Sequence, residues 1–457
     1  MKMIQELYDY DVFPKVVLVG RENEITIKPL GWHAGIEAGK VYELVISAME
    51  QGEEKLYPEW AYFRKITVTA DADACLRFRY AFPSEQEYLI SYIPKPGASP
   101  IKLSVYALAE DMKGRYPYRG DMHVHSRRSD GREAPEIVCA NYRAAGYDFM
   151  TITDHRRYYP SLEAIHALEG LSESFLVVPG EEVQLPLTDI HIINFGGHYS
   201  INALIDGNDN QKDRGDDPVY RSEDGQCPPV MTRQQYEETI RELARKNHWF
   251  NAEMGDISFA ACIWAFNQIR EARGMSIFCH PYWRYRQTFQ VPEKFLDLMF
   301  SMHPFDAFEV LGGESYYEHN GFQTARYYEE LAKGHRFPIV GDTDTHGSTE
   351  HNRDGRISST IVFSPGNHRE DLIESIRSYY TVAVDTISKE FRLVGSLRFQ
   401  KYGCFLLKQY FPLHDRLCAI EGEYIRQAVV GEEGAREKLA LISKDMSRMI
   451  KKYFALG

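Results

Sequence analysis

Apolar runs that end in polar side chains recur along the middle of this chain. Six segments between residues 121 and 347 combine a short, strand-like apolar run with histidine or carboxylate side chains, and stretches of helical periodicity separate most of them. In an α/β barrel the ends of successive strands place side chains around one mouth, with helices in between. The pattern therefore predicts strands that bring these polar side chains together.

The first of these segments spans residues 121–130. Met122 and Val124 alternate there with His123 and His125. Successive side chains of a strand point to opposite faces, so a strand here would place both imidazoles on one side. Two neutral imidazoles at this spacing can bind one metal ion. A polar strand edge with two unrelated histidines would give the same local pattern.

Five later segments repeat this design, which makes a chance origin hard to accept. Their polar positions are Asp154 with His155, Glu181 with Glu182, His191, His280, and Asp344 with His346. Imidazole and carboxylate groups are the usual nitrogen and oxygen ligands of divalent transition metals. The sequence therefore predicts a metal site that draws on six strand ends.

The pattern changes on both sides of this region and defines three parts. Residues 1–118 carry seven short, partly alternating runs without intervening helices, which is typical of an antiparallel, sandwich-like domain. Residues 119–390 form the α/β part, interrupted by a polar, turn-rich insertion at 202–230 that fits either a lid or a plain mobile insertion. In the last part, 391–457, two amphipathic helices are expected at 406–430 and 433–455.

Composition limits the partners and the location. Lys and Arg number 53 against 66 Asp and Glu, a net charge of −13 that argues against an extended nucleic-acid partner. The seven cysteines include no Cys-x-x-Cys pair, which favours reduced thiols and a cytoplasmic location. We expect no signal peptide and no membrane partner, because no run has the required apolar length. The C-terminal helices can be covered either by the barrel or by a second subunit in a homo-oligomer.

The motifs resemble those of the polymerase-and-histidinol-phosphatase (PHP) superfamily of metal-dependent phosphoesterases. The matching stretches are His123-Val-His125 with Asp130, Thr153-Asp154-His155, Gly180-Glu181-Glu182, Asp189-Ile-His191, Cys279-His280-Pro281 and Asp344-Thr-His346. The resemblance covers about residues 120–387. It implies an α/β fold: a distorted (β/α)7 PHP barrel, preceded by the β-sandwich-like domain and followed by a C-terminal helical hairpin.

The resemblance also implies three divalent metal ions. Carried over position by position, the ligands of the three ions in turn are His123, His125, Glu182 and Asp344; then Glu182 again with His191 and His280; then Asp130, His155 and His346. This mixed set suits Zn, Mn or Fe, and the sequence does not choose among them. Either Glu181 or Glu182 could be the ligand of the third motif, and the spacing after Gly180 favours Glu182.

Clustered divalent ions imply hydrolysis by a metal-activated hydroxide. Arg156 and Arg157 follow His155 directly, where guanidinium groups could bind phosphate, although solvated loop charges fit equally well. Asp154 most simply orients neighbouring groups. His319 lacks a comparable context and is interpreted as an ordinary surface or core histidine.

The leading functional hypothesis is a hydrolase of phosphate esters that acts on a small phosphorylated metabolite or nucleotide. A phosphodiesterase or exonuclease on short oligonucleotide ends is a second enzyme hypothesis. The third is a non-catalytic scaffold with a vestigial metal site. The complete set of metal-type positions argues against decay and therefore favours an enzyme.

Overall fold

The computed structural model describes residues 6–50, 63–209, 220–250, 252–285, 287–312, 317–349, 358–385 and 392–457. The protein is a mixed α/β chain whose contacts divide it into two compact units. The first unit combines Met1–Tyr116 with Leu397–Leu417 and Lys444–Gly457, and the second combines Pro117–Ser396 with Cys418–Ser443.

The strands and helices of the described residues are numbered in chain order. The strands are β1 (Tyr10–Phe13), β2 (Val16–Leu18), β3 (Glu22–Pro29), β4 (Val41–Ala48), β5 (Phe63–Thr69), β6 (Leu76–Ala81), β7 (Gln86–Tyr92), β8 (Ile101–Leu108), β9 (Tyr116–Asp121), β10 (Phe149–Thr151), β11 (Leu176–Val178), β12 (Gly180–Gln184), β13 (His191–Phe195), β14 (Met275–Phe278), β15 (Arg284–Tyr285), β16 (Thr288–Phe289), β17 (Ala307–Leu311), β18 (Ile339–Gly341), β19 (Ser358–Ser364), β20 (Thr381–Asp385), β21 (Arg392–Val394) and β22 (Phe454–Ala455). The α-helices are α1 (Glu6–Asp9), α2 (Pro135–Ala144), α3 (Tyr159–Ala167), α4 (Arg233–Asn247), α5 (Glu253–Glu271), α6 (Glu293–Met302), α7 (Tyr317–Ala332), α8 (Arg369–Arg377), α9 (Leu397–Gln409), α10 (Phe411–Val429) and α11 (Ala435–Tyr453).

The first unit is built on two sheets. One has the order β1-β3-β6 and the other the order β22-β2-β8-β7-β4-β5. The alternation in β4 buries Tyr42, Leu44 and Ile46, which join a core of inward-facing side chains from the other strands. The seven sequence runs lie on β2 to β8. The short strand β1 was not expected.

The C-terminal residues differ from the expected helical hairpin. Within 392–457 there are three helices, not two, because the amphipathic pattern is broken at Tyr410 and α10 restarts with Pro412 in its first turn. After α11, β22 pairs in parallel with β2. The contacts also divide residues 397–457 between both units.

The second unit carries two sheets whose strand ends provide the predicted site positions. Their orders are β11-β10-β9-β19-β20-β21 and β12-β13-β14-β17-β18. Isolated bridges pair His155 with Glu182 and Val124 with Thr345, and they link one sheet to the other. Strand β13 is antiparallel to both β12 and β14, unlike the strands of a regular (β/α) barrel. Its first residue therefore lies at the edge where its neighbours end.

The insertion is attached to this unit at both ends. The backbone N–H of Asp206 donates to the carbonyl of Met231 at 2.9 Å, and that of Glu223 donates to the carbonyl of His198 at 3.1 Å. Residues 210–219 lie outside the described part of the chain, so the lid interpretation stays a prediction. Among the helices of the described residues, none is both long and apolar enough to cross a membrane.

A buried ion pair fixes α10 against α2, the helix that follows the first motif. Arg143 and Glu421 have no exposed surface, and the Arg143 Nε donates to Glu421 Oε2 at 2.7 Å. The same guanidinium donates to the Asp148 carboxylate at 2.9 Å. A Cβ added to Gly422 would lie 2.2 Å from the backbone nitrogen of Ala144, so the two helices meet at their backbones.

Removal of the Glu421 carboxylate should destabilise the second unit. Glu421→Ala leaves a buried guanidinium short of one partner, and we expect the free energy of unfolding to fall by about 3–5 kcal/mol. Urea unfolding followed by circular dichroism measures this change. The control is Glu423→Ala on the same helix, which removes an exposed pair with Arg426 and should cost less than about 1 kcal/mol. Equal losses in the two variants would contradict a structural role for the buried pair.

Candidate metal centre

All nine positions predicted as metal ligands lie together in the second unit. Six of them follow the carboxyl ends of parallel strands or lie in β12: His123 and His125 after β9, His155 after β10, Glu182 in β12, His280 after β14, and Asp344 after β18. His191 begins β13 and is paired with Gln184 at the end of β12. Asp130 and His346 lie on the loops after β9 and β18.

Glu182 lies at the middle of the cluster and has no exposed surface. Its Oε1 is 2.7 Å from His191 Nδ1 and 3.2 Å from His280 Nε2. Its Oε2 lies against His155 Nδ1, in close contact. The strand that carries Glu182 begins at Gly180. A Cβ at this position would lie 2.6 Å from the Thr151 hydroxyl, so the absence of a side chain allows β12 to lie close to β10.

Asp344 closes a second group with the two histidines of the first motif. Its Oδ1 is 3.2 Å from His123 Nε2 and 3.0 Å from His125 Nε2. Each of these nitrogens is also 3.8 Å from an oxygen of Glu182. Asp344 has a φ of 48°, a left-handed conformation that a non-glycine residue adopts at a cost, as is common at functional sites.

Asp130 defines a third, more exposed group. Its Oδ2 is 3.4 Å from His155 Nε2 and 3.3 Å from His346 Nε2. The rings of His346 and His125 stack with centroids 4.4 Å apart. Burial alone would raise the pKa of Asp130, but the hydrogen bonds with His155 and His346 hold that pKa well below its usual range. The Asp130 side chain is 53% exposed, so this group faces solvent while the Glu182 and Asp344 groups are enclosed.

The donor atoms fit divalent metal ions. His123 Nε2, His125 Nε2, Glu182 Oε2 and His191 Nδ1 are buried, and their close contacts with the charged groups named above are not aligned as hydrogen bonds within the described residues. Buried polar atoms without an aligned hydrogen bond are costly, and all four belong to the one cluster. Burial, and next the charge of His155, lowers the pKa of His125 to about 4, which keeps this imidazole in the neutral form that binds metal.

The structure separates the roles of Glu181 and Glu182, which the sequence left open. Successive residues of β12 point to opposite faces, so only Glu182 faces the cluster. Glu181 is buried on the other side, where its carboxylate accepts hydrogen bonds from Ser200 Oγ and Asn202 Nδ2, both at 2.8 Å. It is therefore neither exposed nor in the cluster, and it anchors the segment that begins the insertion.

Asp154 holds the loop of the first motif. Its carboxylate accepts hydrogen bonds from the backbone N–H groups of Ser126 at 2.9 Å and Ser129 at 3.1 Å, and from both hydroxyls at 2.5 Å. Burial raises the pKa of Asp154 to about 6, against the effect of these hydrogen bonds. The loop that carries Asp130 is thus fixed by a carboxylate that lies outside the nine positions.

Arg156 and Arg157 are half-buried beside the cluster. Arg156 has a φ of 55°, and its backbone N–H donates to the carbonyl of Glu182 at 3.0 Å. Arg157 donates from Nη1 to the carbonyl of Arg128, so part of its guanidinium holds the loop of the first motif. The Nε atoms of both are buried without a hydrogen bond within the described residues. These contacts do not fit freely solvated charges, and phosphate binding by either residue stays a prediction.

Glu309 is a fully buried carboxylate in β17 that was not predicted as a site residue. Its Oε2 lies 2.8 Å from His123 Nδ1, and its Oε1 accepts the backbone N–H of His280 at 3.2 Å. A carboxylate on the far nitrogen of a histidine fixes the ring and directs the other nitrogen to a metal. The sequence does contain an indication of this role, because Glu309 is the one charged residue in the apolar run Ala307–Leu311.

His319, interpreted from the sequence as a surface or core histidine, is a core residue of the second unit. It lies on α7 without exposed surface, and its ring is 3.2 Å from where a Cβ on Gly312 would be. Burial, and next the charge of His280, lowers the pKa of His319 to about 3. A neutral imidazole therefore lies beside the cluster. The available sequence signal was the four-residue spacing of His319 and Gln323, which puts both side chains on the buried face of α7.

Glu309→Gln should weaken metal binding without unfolding the protein. Glutamine keeps the shape of the side chain but lacks the charge that orients His123, and we expect metal affinity to fall about 10–100-fold. Dialysis against graded chelator followed by elemental analysis measures the affinity. Glu293→Gln, at a side chain on α6 that is 63% exposed, is the matched control and should leave the affinity unchanged. Identical metal retention in both variants would show that Glu309 does not act on the centre.

Comparisons with known proteins add structural neighbours. No protein-family model matches the chain, and no curated protein sequence matches it. One similar solved structure is a two-domain protein containing a predicted PHP-like metal-dependent phosphoesterase from Bacteroides vulgatus, with 17% identity and a TM-score of 0.36 over 59% of this chain and 65% of that one. The aligned part is thus just under two thirds of that protein's length.

Two further structures align with half of the chain. One, from Bifidobacterium adolescentis, is assigned as a metal-dependent phosphoesterase and has 16% identity and a TM-score of 0.32 over 50% of this chain and 88% of that one. The other is an amidohydrolase from Chromobacterium violaceum with bound sulfate and no metal, at 18% identity, a TM-score of 0.26, and 50% and 87% coverage. Of these three structures, one is named as PHP-like and two as metal-dependent phosphoesterases.

Proposed function

We propose that the protein is a metal-dependent phosphoesterase that hydrolyses a phosphate ester of a small metabolite or nucleotide. The observation that carries the proposal is the enclosed set of imidazoles and carboxylates around Glu182, with four buried donor atoms whose close contacts are not aligned as hydrogen bonds within the described residues. The linked sheets of the second unit correspond, in this proposal, to the distorted PHP barrel.

Three groups of neighbouring donors consist only of histidine and carboxylate side chains, and a further group, His123 with Cys279 and His280, includes a buried thiol. His123, His125 and Asp344 form one, His155, Glu182 and His191 another, and His125, Asp130, His155 and His346 the third. His280 adds a nitrogen 3.2 Å from Glu182. We infer three ion positions from this division, with Zn, Mn or Fe as the candidates. When bound, such ions neutralise phosphate oxygens and lower the pKa of water.

The side chains of the site favour water as the nucleophile. The Ser126 hydroxyl donates to Asp154 Oδ2 at 2.5 Å, so its proton is directed to a group that holds the loop. The Cys279 thiol is 1% exposed, and burial raises its pKa far above neutral pH. Hydrolysis then forms one bond from water oxygen to phosphorus, breaks the ester bond, and releases an alcohol and inorganic phosphate. In this proposal Arg156 and Arg157, which lie half-buried beside the cluster, orient the phosphoryl oxygens.

Phosphate release from the metal-loaded protein is the main test. Protein reconstituted separately with Zn, Mn or Fe should bind more than one ion per chain and release phosphate from small phosphate monoesters. Asp344→Asn should lower kcat/KM by more than about a hundredfold, because it removes the carboxylate shared by His123 and His125. Asp224→Asn, at an exposed turn residue, is the control and should behave like the wild type. Absence of bound metal after all three reconstitutions would refute the proposal.

The nucleophile can be tested separately. Ser126→Ala and Cys279→Ala should keep kcat within about tenfold of the wild type, since neither side chain forms a bond to phosphorus in this scheme. Rapid acid quench during turnover, followed by intact-protein mass spectrometry, should detect no phosphorylated protein. A phosphoryl adduct on either residue would show covalent catalysis and overturn the assignment of water.

A further inference from the structure

A pair of aromatic side chains lies directly beside the metal centre. The ring of Trp283 has its centroid 6.0 Å from that of His191 and 5.9 Å from that of His280. The backbone sets this position, because the Trp283 N–H donates to the carbonyl of His280 at 2.9 Å and its carbonyl accepts from Gln290 at 2.8 Å. A tight turn after the fifth motif thus brings an indole against two of the predicted ligands.

Tyr285 extends this aromatic surface away from the centre. Its ring is 5.7 Å from that of Trp283, with 31° between the planes, and its side chain remains 49% exposed. It belongs to β15, which pairs with β16 in a short hairpin. Gln290 Nε2 donates to the carbonyl of Asp189 at 2.6 Å and ties the base of the hairpin to the segment before β13. The two rings therefore form a fixed surface that runs from the buried ligands to solvent.

We propose that Trp283 and Tyr285 bind a flat aromatic ring in the alcohol part of the phosphate ester. This inference rests on the proposed function and names the substrate class of the same site. A phosphoryl group at the cluster leaves the esterified group to extend outward past His191 and His280, where the two rings lie. Flat rings gain from contact with aromatic side chains, whereas saturated groups of the same size gain less.

Benzyl phosphate and cyclohexylmethyl phosphate form a matched pair of substrates. Both are esters of primary alcohols and have the same number of carbon atoms, but only the benzyl group is flat and aromatic. We expect the metal-loaded wild type to prefer benzyl phosphate in kcat/KM. Trp283→Ala should lower kcat/KM for benzyl phosphate about tenfold and for cyclohexylmethyl phosphate less than about twofold.

Three further variants separate stacking from a structural effect. Trp283→Phe should keep most of the preference, because it retains an aromatic face. Tyr285→Ala changes an exposed side chain and should lower the preference in the same direction, even if Trp283→Ala proves unstable. Trp32→Ala removes a tryptophan of the first unit that is 97% exposed, and the preference should not change. Bound metal, measured in every variant, should stay at the wild-type level.

Binding of the corresponding phosphonates, measured by calorimetry on the metal-loaded protein, gives a readout without turnover. Benzylphosphonate should bind more tightly than cyclohexylmethylphosphonate, and Trp283→Ala should remove the difference. Equal losses for both ligands would show that Trp283 only shields or supports the histidines, and would overturn the inference. If the wild type hydrolyses neither ester, the phosphonate comparison still decides whether the aromatic surface binds a flat ring, independently of the proposed function.

Discussion

The carboxylate of Glu182 has no exposed surface, and the second unit can bury it because imidazoles surround it on every side that faces the cluster. An isolated buried carboxylate would be protonated or would unfold its surroundings. Its partners come from elements that are far apart in sequence, since His155 follows β10 and His280 follows β14. Burial of the Glu182 charge thus depends on strands from both sheets. The bridge between His155 and Glu182 joins the two sheets at that point.

A second layer of carboxylates keeps the inner groups in place. Glu309 holds the ring of His123 and the backbone of His280, and Asp154 holds the loop that carries Asp130. Neither belongs to the nine positions, yet each fixes the direction in which a donor atom points. Buried polar groups without partners are costly. These two carboxylates provide hydrogen-bond partners for His123 Nδ1 and for the backbone N–H groups of His280 and Ser126. The positions of these donor atoms are therefore set by hydrogen bonds within the protein.

Much of this arrangement could be predicted from the sequence, for a specific physical reason. Most of the nine positions, like His280, follow a short apolar run. Because the ends of neighbouring strands meet at one edge of a sheet, the nine side chains could be expected to lie together. Glu309 and His319 lie inside an apolar strand and a helix, where the sequence does not show which face is buried. The antiparallel direction of β13 was also missed, although its short connection to β12, without a helix, is typical of antiparallel neighbours. The substrate-side contacts could not be predicted, since Trp283 looks like any core aromatic residue until its neighbours are known.

The pairing of β22 with β2 has a consequence for the order of events on the ribosome. Val16 and Phe454 are partners in one sheet, yet the entire second unit is synthesised between them. During synthesis β2 therefore lacks its partner β22 until the whole second unit has been made. An unpaired edge is a template for association with other chains. A chain that ends before α11 would contain all nine cluster residues, but β2 would be an unpaired edge strand open to association with other chains.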